Sequence, residues 1–480
     1  LALVYQPKIG LEVHVQLNRL KTKLFCSCST NYQGLPPNSN VCPVCLGLPG
    51  SLPVLNREAV RHALMVAKAL NCSINTRFNF VRKNYFYPDM TKNFQISQYD
   101  KAGGIPIAMN GRMVVDVDGK TVEIRIRRIQ IEEDPGRLEH PFGLGSSPYV
   151  LVDYNRAGMG LLEIVTEPDM KTSKEARAFI NKLRSVLEHL DVCDTSLEGA
   201  MRADANISVN GGNRVEVKNI SSYKEVEKAI DYEILRQTKI LEEGGVVQRE
   251  TRHWLEAKGV SVPSRAKEEE QDYRYFPEPD IPPVVLSQDF LNEVFSNMPE
   301  LPDARVKRFV ENYSLSKYDA SVLVMEKSLA DFFEETLKFY PKPKIVANWV
   351  IVEVLRQLNE RKAQLKELPL RPVHLAELLK LMEDGTLSSK LAKRVLVEVC
   401  ETAEPPSQIV KRLGLTRIAD EQVIREIAKE VFKENPKAVE DAKKDAEAVN
   451  YLIGQVMKKT KGKADPVLTN KVVRELLSDL

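Results

Sequence analysis

The chain has 480 residues, with 69 Lys or Arg against 67 Asp or Glu, so its formal net charge is only +2. That balance excludes a uniformly basic nucleic-acid-binding domain and leaves room for a local basic patch. Single cores stop growing near ~250 to 300 residues, so two or three domains are expected.

No run of about 18 apolar residues occurs. Leu1 to Gly10 also lacks the basic and apolar regions of a secretory signal. The expectation is a cytoplasmic protein with no membrane partner. Four of the seven cysteines fall in the first fifty residues, which favours a metal site in a reducing compartment over a disulfide scaffold.

In chain order, the first element is a strand. Alternation from Leu11 to Leu17 puts Leu11, Val13, Val15 and Leu17 on one face and Glu12, His14 and Gln16 on the other. Two thiol pairs follow, Cys26 with Cys28 and Cys42 with Cys45, separated by a loop containing Pro36, Pro37 and Asn38. Two close pairs closing a loop suit tetrahedral, structural Zn²⁺. Four free buried thiols or a redox role for Cys42 and Cys45 are the alternatives. Cys72, Cys193 and Cys400 stand alone and read as small hydrophobes.

Helical spacing is expected over Arg57 to Leu70 and Ser173 to Leu190. A strand from Val122 to Ile131 alternates until Arg127 and Arg128 break its phase, which predicts a bulge just before Glu132, Glu133 and Asp134. Met201 to Val209 alternates again, with Arg202, Asp204, Asn206 and Ser208 on its polar face, and Arg214, Glu216 and Lys218 share a face next. The Pro-rich segment Phe276 to Pro283 interrupts regular structure and places a first boundary at 294/295.

Beyond it the apolar residues Val346, Trp349, Val350, Val352, Val354 and Leu355 recur at helical spacing. Glu404 to Ser407 reads as a second linker, with Ser407 as the N-cap of the next helix. The predicted domains are therefore 1–294, 295–405 and 406–480. The fold class is α+β with antiparallel sheet first and helices afterwards.

The polar strand faces are ordinary solvated surfaces in one reading. In the other, their Asp, Asn, His, Arg and Glu are the oxygen ligands and phosphate clamps of a Mg²⁺-nucleotide site suited to phosphoryl transfer. No G-x-x-x-x-G-K-[ST] loop is present, so a nucleotide would bind a sheet surface. Leu387 to Lys390 contains a Ser-Ser-Lys run that reads as a helix N-terminus, so no glutamine hydrolysis by this chain alone is expected.

The segment Val152 to Asp169, VDYNRAGMGLLEIVTEPD, resembles the signature of the GatB family, the B subunits of the aspartyl/glutamyl-tRNA amidotransferases. Further blocks agree in order: IGLEVHV from Ile9, RKNYFYPD from Arg82, QISQ from Gln95, EED from Glu132, RADANIS from Arg202, EVKN from Glu216, DYRYFPEPD from Asp272, MEDG from Met382 and GQVM from Gly454. Gly160 stands where the family usually has proline.

The resemblance implies a glutamine synthetase-like cradle domain, a helical domain and a YqeY-like tail that binds tRNA. It implies ATP-dependent phosphorylation of the side-chain carboxylate of Glu-tRNA(Gln) or Asp-tRNA(Asn), then amidation by ammonia from a glutaminase of the amidase type, the A component, while a small C component braces the complex. Carried onto this sequence, Glu12, His14 and Glu133 become the first-choice Mg²⁺ ligands, with Glu132 and Glu216 as alternatives. Arg202, Asp204, Asn206 and Lys218 would handle phosphates and the aminoacyl group, and Lys83, Asn84 and Tyr85 would line the pocket or the ammonia path. Lys458, Lys459, Lys461 and Lys463 form the tail's candidate RNA contact. Rival classes are a non-catalytic RNA adaptor, disfavoured because carboxylates repel phosphate unless a metal intervenes, and a free-standing small-molecule ligase.

Overall fold

The computed structural model describes residues 5–143, 147–220, 222–264, 273–415, 420–442, 446–460 and 463–479. Asp272 and Lys461, both named above, lie outside the described residues, as do Leu1 to Val4. The chain divides into two compact units, 1–302 and 303–480.

The first unit is organised by a nine-stranded sheet. Its strands are β1 (Pro7–Gln16), β2 (Ser73–Ile74), β3 (Ala108–Val117), β4 (Lys120–Glu133), β5 (Gly160–Thr166), β6 (Met201–Val209), β7 (Val215–Ile220), β8 (Glu250–Leu255) and β9 (Val260–Pro263). The order is β9-β8-β7-β6-β1-β5-β4-β3-β2, so β1 is central. Every pairing is antiparallel except β7 with β8, and the helix Tyr223–Glu242 supplies the crossover that a parallel pair requires.

Alternation decides which face is dry. Leu11, Val13 and Val15 of β1, Ile129 and Ile131 of β4, Leu162 and Ile164 of β5, and Ala203, Ala205 and Ile207 of β6 are all buried in one cluster. Helices Arg57–Ala69 and Ser173–His189 contribute Ala63, Leu64, Phe179 and Leu183 to it. Each fully buried Leu, Ile or Val contributes about 1.5–3 kcal/mol, which fixes the register because a one-residue slip would turn this face to water. Helix starts are fixed locally: Asn56 accepts from the Glu58 and Ala59 amides, and Thr172 from the Glu175 amide.

The expected bulge is present. Val165 of β5 pairs with Arg128, but the next residue, Thr166, pairs with Ile126, so Arg127 is the extra residue.

The first unit extends past the expected 294/295 boundary, because the helix Gln288–Ser296 buries Leu291 and Val294 in the first core and Phe295, Met298 and Leu301 pack against it. The second unit is helical throughout its described residues and holds two apolar clusters, spanning 309–415 and 424–476. The helix Pro406–Leu413 shares the first of these through Ile409 and Val410, so residues 406–415 belong with the helices before them. Ser407 is not its N-cap. The helix starts one residue earlier, with Pro406 at a position where a missing N–H costs nothing. Ser388 does cap the helix Ser389–Thr402, which settles the Ser-Ser-Lys run as a helix start. Trp349–Val354 forms a π-helical stretch between two α-helical segments.

Candidate active site

The face of the sheet opposite the core gathers most of the predicted polar residues. Register carries them together: His14 lies opposite Glu163 of β5 and Arg202 of β6, Glu12 lies opposite Asp204, and Asn206 lies opposite Glu216. His14 Nε2 is 3.6 Å from Glu132 Oε1 and 3.9 Å from Glu12 Oε1. One ligand atom each from Glu12, His14 and Glu163 falls within a 4.8 Å span.

Hydrogen bonds hold the rim of this acid cluster. Ser97 Oγ donates to Glu132 at 3.1 Å, and Arg128 Nη2 donates to Glu163 at 3.4 Å. Lys218 Nζ stands 3.6 Å from Asp204 and 3.3 Å from Glu216, and Thr251 Oγ1 donates to Glu216 at 3.1 Å. At the other end Asp134 is fully enclosed, taking 2.9 Å and 2.6 Å hydrogen bonds from Arg202 and Gln16 with Arg156 at 3.6 Å.

The electrostatics describe a site short of positive charge. Burial pushes Glu132 up to about 7 although Lys83 and Ser97 oppose it, and pushes Asp204 up to about 6 against the pull of Lys218. Burial next to Glu12 and Glu132 raises Glu163 well above the ordinary carboxylate range. His14 goes the other way, down to about 3, through burial and then the nearby Arg202, so its imidazole is neutral at pH 7 and free to act as a ligand. Burial alone would weaken the Lys218 ammonium, but Asp204, Glu216 and Glu12 outweigh it and raise its pKa. Asn206 Oδ1 is a buried acceptor with no partner among the described residues. Clustered carboxylates, a neutral imidazole and an orphaned amide oxygen form a donor set that suits a hard divalent cation such as Mg²⁺.

Glu133 does not join this set. Its parity matches Ile129 and Ile131, so it points to the opposite side of β4, where Lys92 Nζ contacts its two oxygens at 2.5 and 2.6 Å and the Ile96 amide donates at 2.9 Å. Glu132 and the unpredicted Glu163 hold the places beside Glu12 and His14.

Lys83 packs 4.8 Å from the Tyr273 ring and its charge bears on His14, Glu132 and Glu163, so it overlooks the cluster. Asn84 tethers a neighbouring segment, donating to the carbonyls of Tyr273 and Arg274 at 3.2 and 2.7 Å. Tyr85 is raised by burial, with the Asp89 and Glu133 carboxylates adding to the effect. Sequence reasoning also passed over Asp134, Ser97, Arg128 and the stacked Tyr99 and Tyr275, whose ring centres are 5.0 Å apart.

The four thiols of Cys26, Cys28, Cys42 and Cys45 have sulfurs all within 4.8 Å of one another. The hydrogen bond to Cys45 and then burial raise Cys26, burial pushes Cys28 up to about 11, and the same hydrogen bond from Cys26, with help from Lys23, draws Cys45 down to about 5. Lys23 is fully buried, its ammonium donating to the Asn40 carbonyl at 2.9 Å and lying 3.8 Å from the Cys45 sulfur. A buried cation beside the sulfur cluster fits a tetrathiolate site, which carries net negative charge when a divalent ion is bound. Beside it lies a cavity of about 240 Å³, lined in part by Cys26, Cys45, Gly47, Arg82, Lys92 and Glu133.

In the tail, Lys458 and Lys459 end the helix Ala446–Lys459, and Lys459 is bound to Glu430 and Glu434 at 2.9 and 2.7 Å. That pairing removes it from the expected loop of free lysines.

No helix among the described residues is long and apolar enough to cross a membrane. Residues 7–292 match the family model described as the GatB/GatE catalytic domain, and residues 331–477 match the one described as the GatB domain. The B subunit of the aspartyl/glutamyl-tRNA(Asn/Gln) amidotransferase of Sulfurisphaera tokodaii is 55% identical over 471 residues, covering 98% of this chain and 99% of the relative. The proteins of the same name from Sulfolobus acidocaldarius and Thermotoga maritima are 53% and 51% identical, each spanning 98% of this chain and 99% of their own length. With near-complete coverage of full-length relatives and both family domains in order, this chain belongs to the GatB family, the B subunits of the aspartyl/glutamyl-tRNA amidotransferases.

Proposed function

We propose that this chain is the activating and transamidating subunit of a tRNA-dependent amidotransferase, a glutamine-hydrolysing carbon–nitrogen ligase of protein synthesis. Its substrate is the side-chain carboxylate of a mischarged Glu-tRNA(Gln) or Asp-tRNA(Asn). The observation that carries the reading is the acid cluster of Glu12, His14, Glu132 and Glu163 on one sheet face, flanked by Lys83, Arg202 and Lys218.

A carboxylate is a poor electrophile because it lacks a good leaving group. Transfer of the γ-phosphoryl group of ATP to one of its oxygens releases ADP and leaves an acyl phosphate. Ammonia then attacks the carbonyl carbon and phosphate departs, giving the amide. Bound Mg²⁺ would supply charge neutralisation for the phosphates. Glu12, His14, Glu132 and Glu163 would hold it, with Asp204 and Glu216 next to them. Arg202 and Lys218, both partly exposed, present cations to the phosphates, and Asn206 offers an acceptor to the aminoacyl group. Lys83, Asn84 and Tyr85 would line the pocket or the ammonia path and limit the access of water.

The sheet domain has the character of a glutamine synthetase-like cradle, followed by a helical domain and a small helical tail. The last of these is a YqeY-like tail for tRNA. Partners under this reading are the amidase (glutaminase) that releases ammonia and the small bracing component, in the cytoplasm. Zn²⁺ on the four cysteines is structural. The test is ATP hydrolysis by the assembled complex: it should require both Mg²⁺ and mischarged tRNA, and hydrolysis indifferent to the mischarged tRNA would overturn the reading.

A further inference from the structure

The four-cysteine loop touches the active strand by two routes. On the first, Gly47 sits directly against Lys92: a Cβ at position 47 would lie 2.3 Å from Lys92 Cγ and 3.3 Å from its Cα. Gly47 also has a φ of +65°, the left-handed region that favours glycine. Next to this contact Thr91 Oγ1 donates to the Cys45 carbonyl at 2.7 Å. Lys92, so seated, clamps Glu133, while Gln95 Nε2 donates to the Glu133 carbonyl at 2.8 Å.

On the second route, a Cβ on Gly158 would lie 3.3 Å from Cys45 Cβ. The Gly158 amide donates to the Asp134 carbonyl at 2.9 Å, and the Asp134 amide donates to the Met159 carbonyl at 2.8 Å. Both routes converge on the end of β4 and the residue after it, which present Glu132 to the acid cluster and Asp134 to Arg202. Among the described residues the loop from Cys42 to Leu48 is otherwise held by local turns such as Leu46 to Cys42 and Leu48 to Pro43, by Ser51 Oγ donating to the Pro43 carbonyl at 3.1 Å and by Lys23 against the Cys45 sulfur, and Leu48 is exposed.

We propose that the four-cysteine loop is a positioning element for the active site: a soft divalent ion on Cys26, Cys28, Cys42 and Cys45 fixes Gly47 and Cys45, which seat Lys92 and Gly158 and thereby hold the end of β4. Lys92 is a positioning residue that acts through Glu133 and touches no reacting atom. Supporting groups of this kind set the geometry of the residues in front of them. The inference rests on the reading of the acid cluster as the phosphoryl-transfer site, but its structural half stands apart from that reading.

The test compares wild-type, Cys42→Ser and Gly47→Ala chains in the assembled complex by metal analysis, amide hydrogen exchange and steady-state kinetics. Cys42→Ser should lose bound zinc. Gly47→Ala should keep it, since no ligand changes. Both should lose about tenfold in exchange protection at residues 131–134 while the sheet edge at 250–255 is unaffected. Both should also lower kcat about tenfold with KM for aminoacyl-tRNA unchanged, the pattern of a displaced catalytic group. Wild-type protection at 131–134 in zinc-depleted Cys42→Ser, or in Gly47→Ala, would overturn the proposal whatever the kinetics show. Altered protection with no change in kcat would refute the link to catalysis and leave the zinc loop a local brace.

Discussion

Replacing Lys92 by Met should be among the most damaging single changes in the first unit. The side chains of Lys92 and Glu133 are only 12% and 4% exposed, and the ammonium meets both carboxylate oxygens. Methionine keeps the length and apolar stem of lysine, so the main loss is charge. Among the described residues Glu133 would then be a buried anion with one remaining partner for its carboxylate, the Ile96 amide. Removing one member of a buried pair costs about 3 to 5 kcal/mol.

For a unit of this size each kcal/mol moves the midpoint by about 2 °C, so Tm should fall by about 6 to 10 °C. The double variant Lys92→Met/Glu133→Gln removes the stranded charge and keeps an acceptor for Ile96. It should recover most of the loss, to within about 1 kcal/mol of wild type. Urea unfolding followed by far-ultraviolet circular dichroism reads both. A loss below about 1 kcal/mol in the single variant, or a double variant no more stable than the single, would refute the assignment of Glu133 as an ion-pair residue.

Cys42→Ser should reduce bound zinc from about one per chain to near none, and full zinc content in that variant would remove the tetrathiolate site. The raised carboxylates set a pH dependence with a definite sign. Glu132 at about 7 and Asp204 at about 6 bind protons in the folded state over a range where the unfolded chain has lost them, so without metal stability is greatest below about pH 4 for these groups and declines as pH rises towards 7. Mg²⁺ competes with those protons, so its stabilising effect should grow between about pH 5 and 8; an Mg²⁺ shift in Tm independent of pH would contradict this. Deletion of the tail should be made after Leu415, because a cut at Pro405 would strip Ile409 and Val410 from the middle core. The shortened chain should keep the ATPase of the complex at saturating mischarged tRNA but lose tRNA affinity and flatten its salt slope by roughly 0.7 to 0.9 for each phosphate it no longer touches; unchanged affinity would place tRNA recognition elsewhere.

Much of this was legible in the sequence because β-strands write their faces in alternation. Glu12 with His14, Arg202 with Asp204 and Asn206, and Glu216 with Lys218 fall on polar faces by alternation alone, and the phase break at Arg127 marks the bulge. The choice of Glu133 over Glu132 neglected the same rule: after the bulge Ile129 and Ile131 set the apolar parity, and Glu133 continues it. Glu163 was available as the lone carboxylate within the otherwise apolar run Leu161 to Val165, yet its role depends on β5 lying next to β1, which alternation does not reveal. Lys92, Ser97 and Asp134 depend in the same way on pairings between distant segments. The domain boundaries slipped because proline marks where a helix can start or a strand stop, whereas the cores are assigned by packing of residues such as Leu291 and Ile409.

The central claim is that the face bearing Glu12, His14, Glu132 and Glu163 activates a side-chain carboxylate by phosphorylation. Hydroxylamine trapping tests it most directly, since an acyl phosphate on mischarged Glu-tRNA or Asp-tRNA is converted to a stable hydroxamate. The assembled complex, given ATP, Mg²⁺ and either mischarged tRNA, should form the hydroxamate, and Glu132→Gln should reduce its formation at least a hundredfold, about 2.7 kcal/mol of barrier, while the far-ultraviolet spectrum is retained. Hydroxamate formed by Glu132→Gln at the wild-type rate would contradict the account.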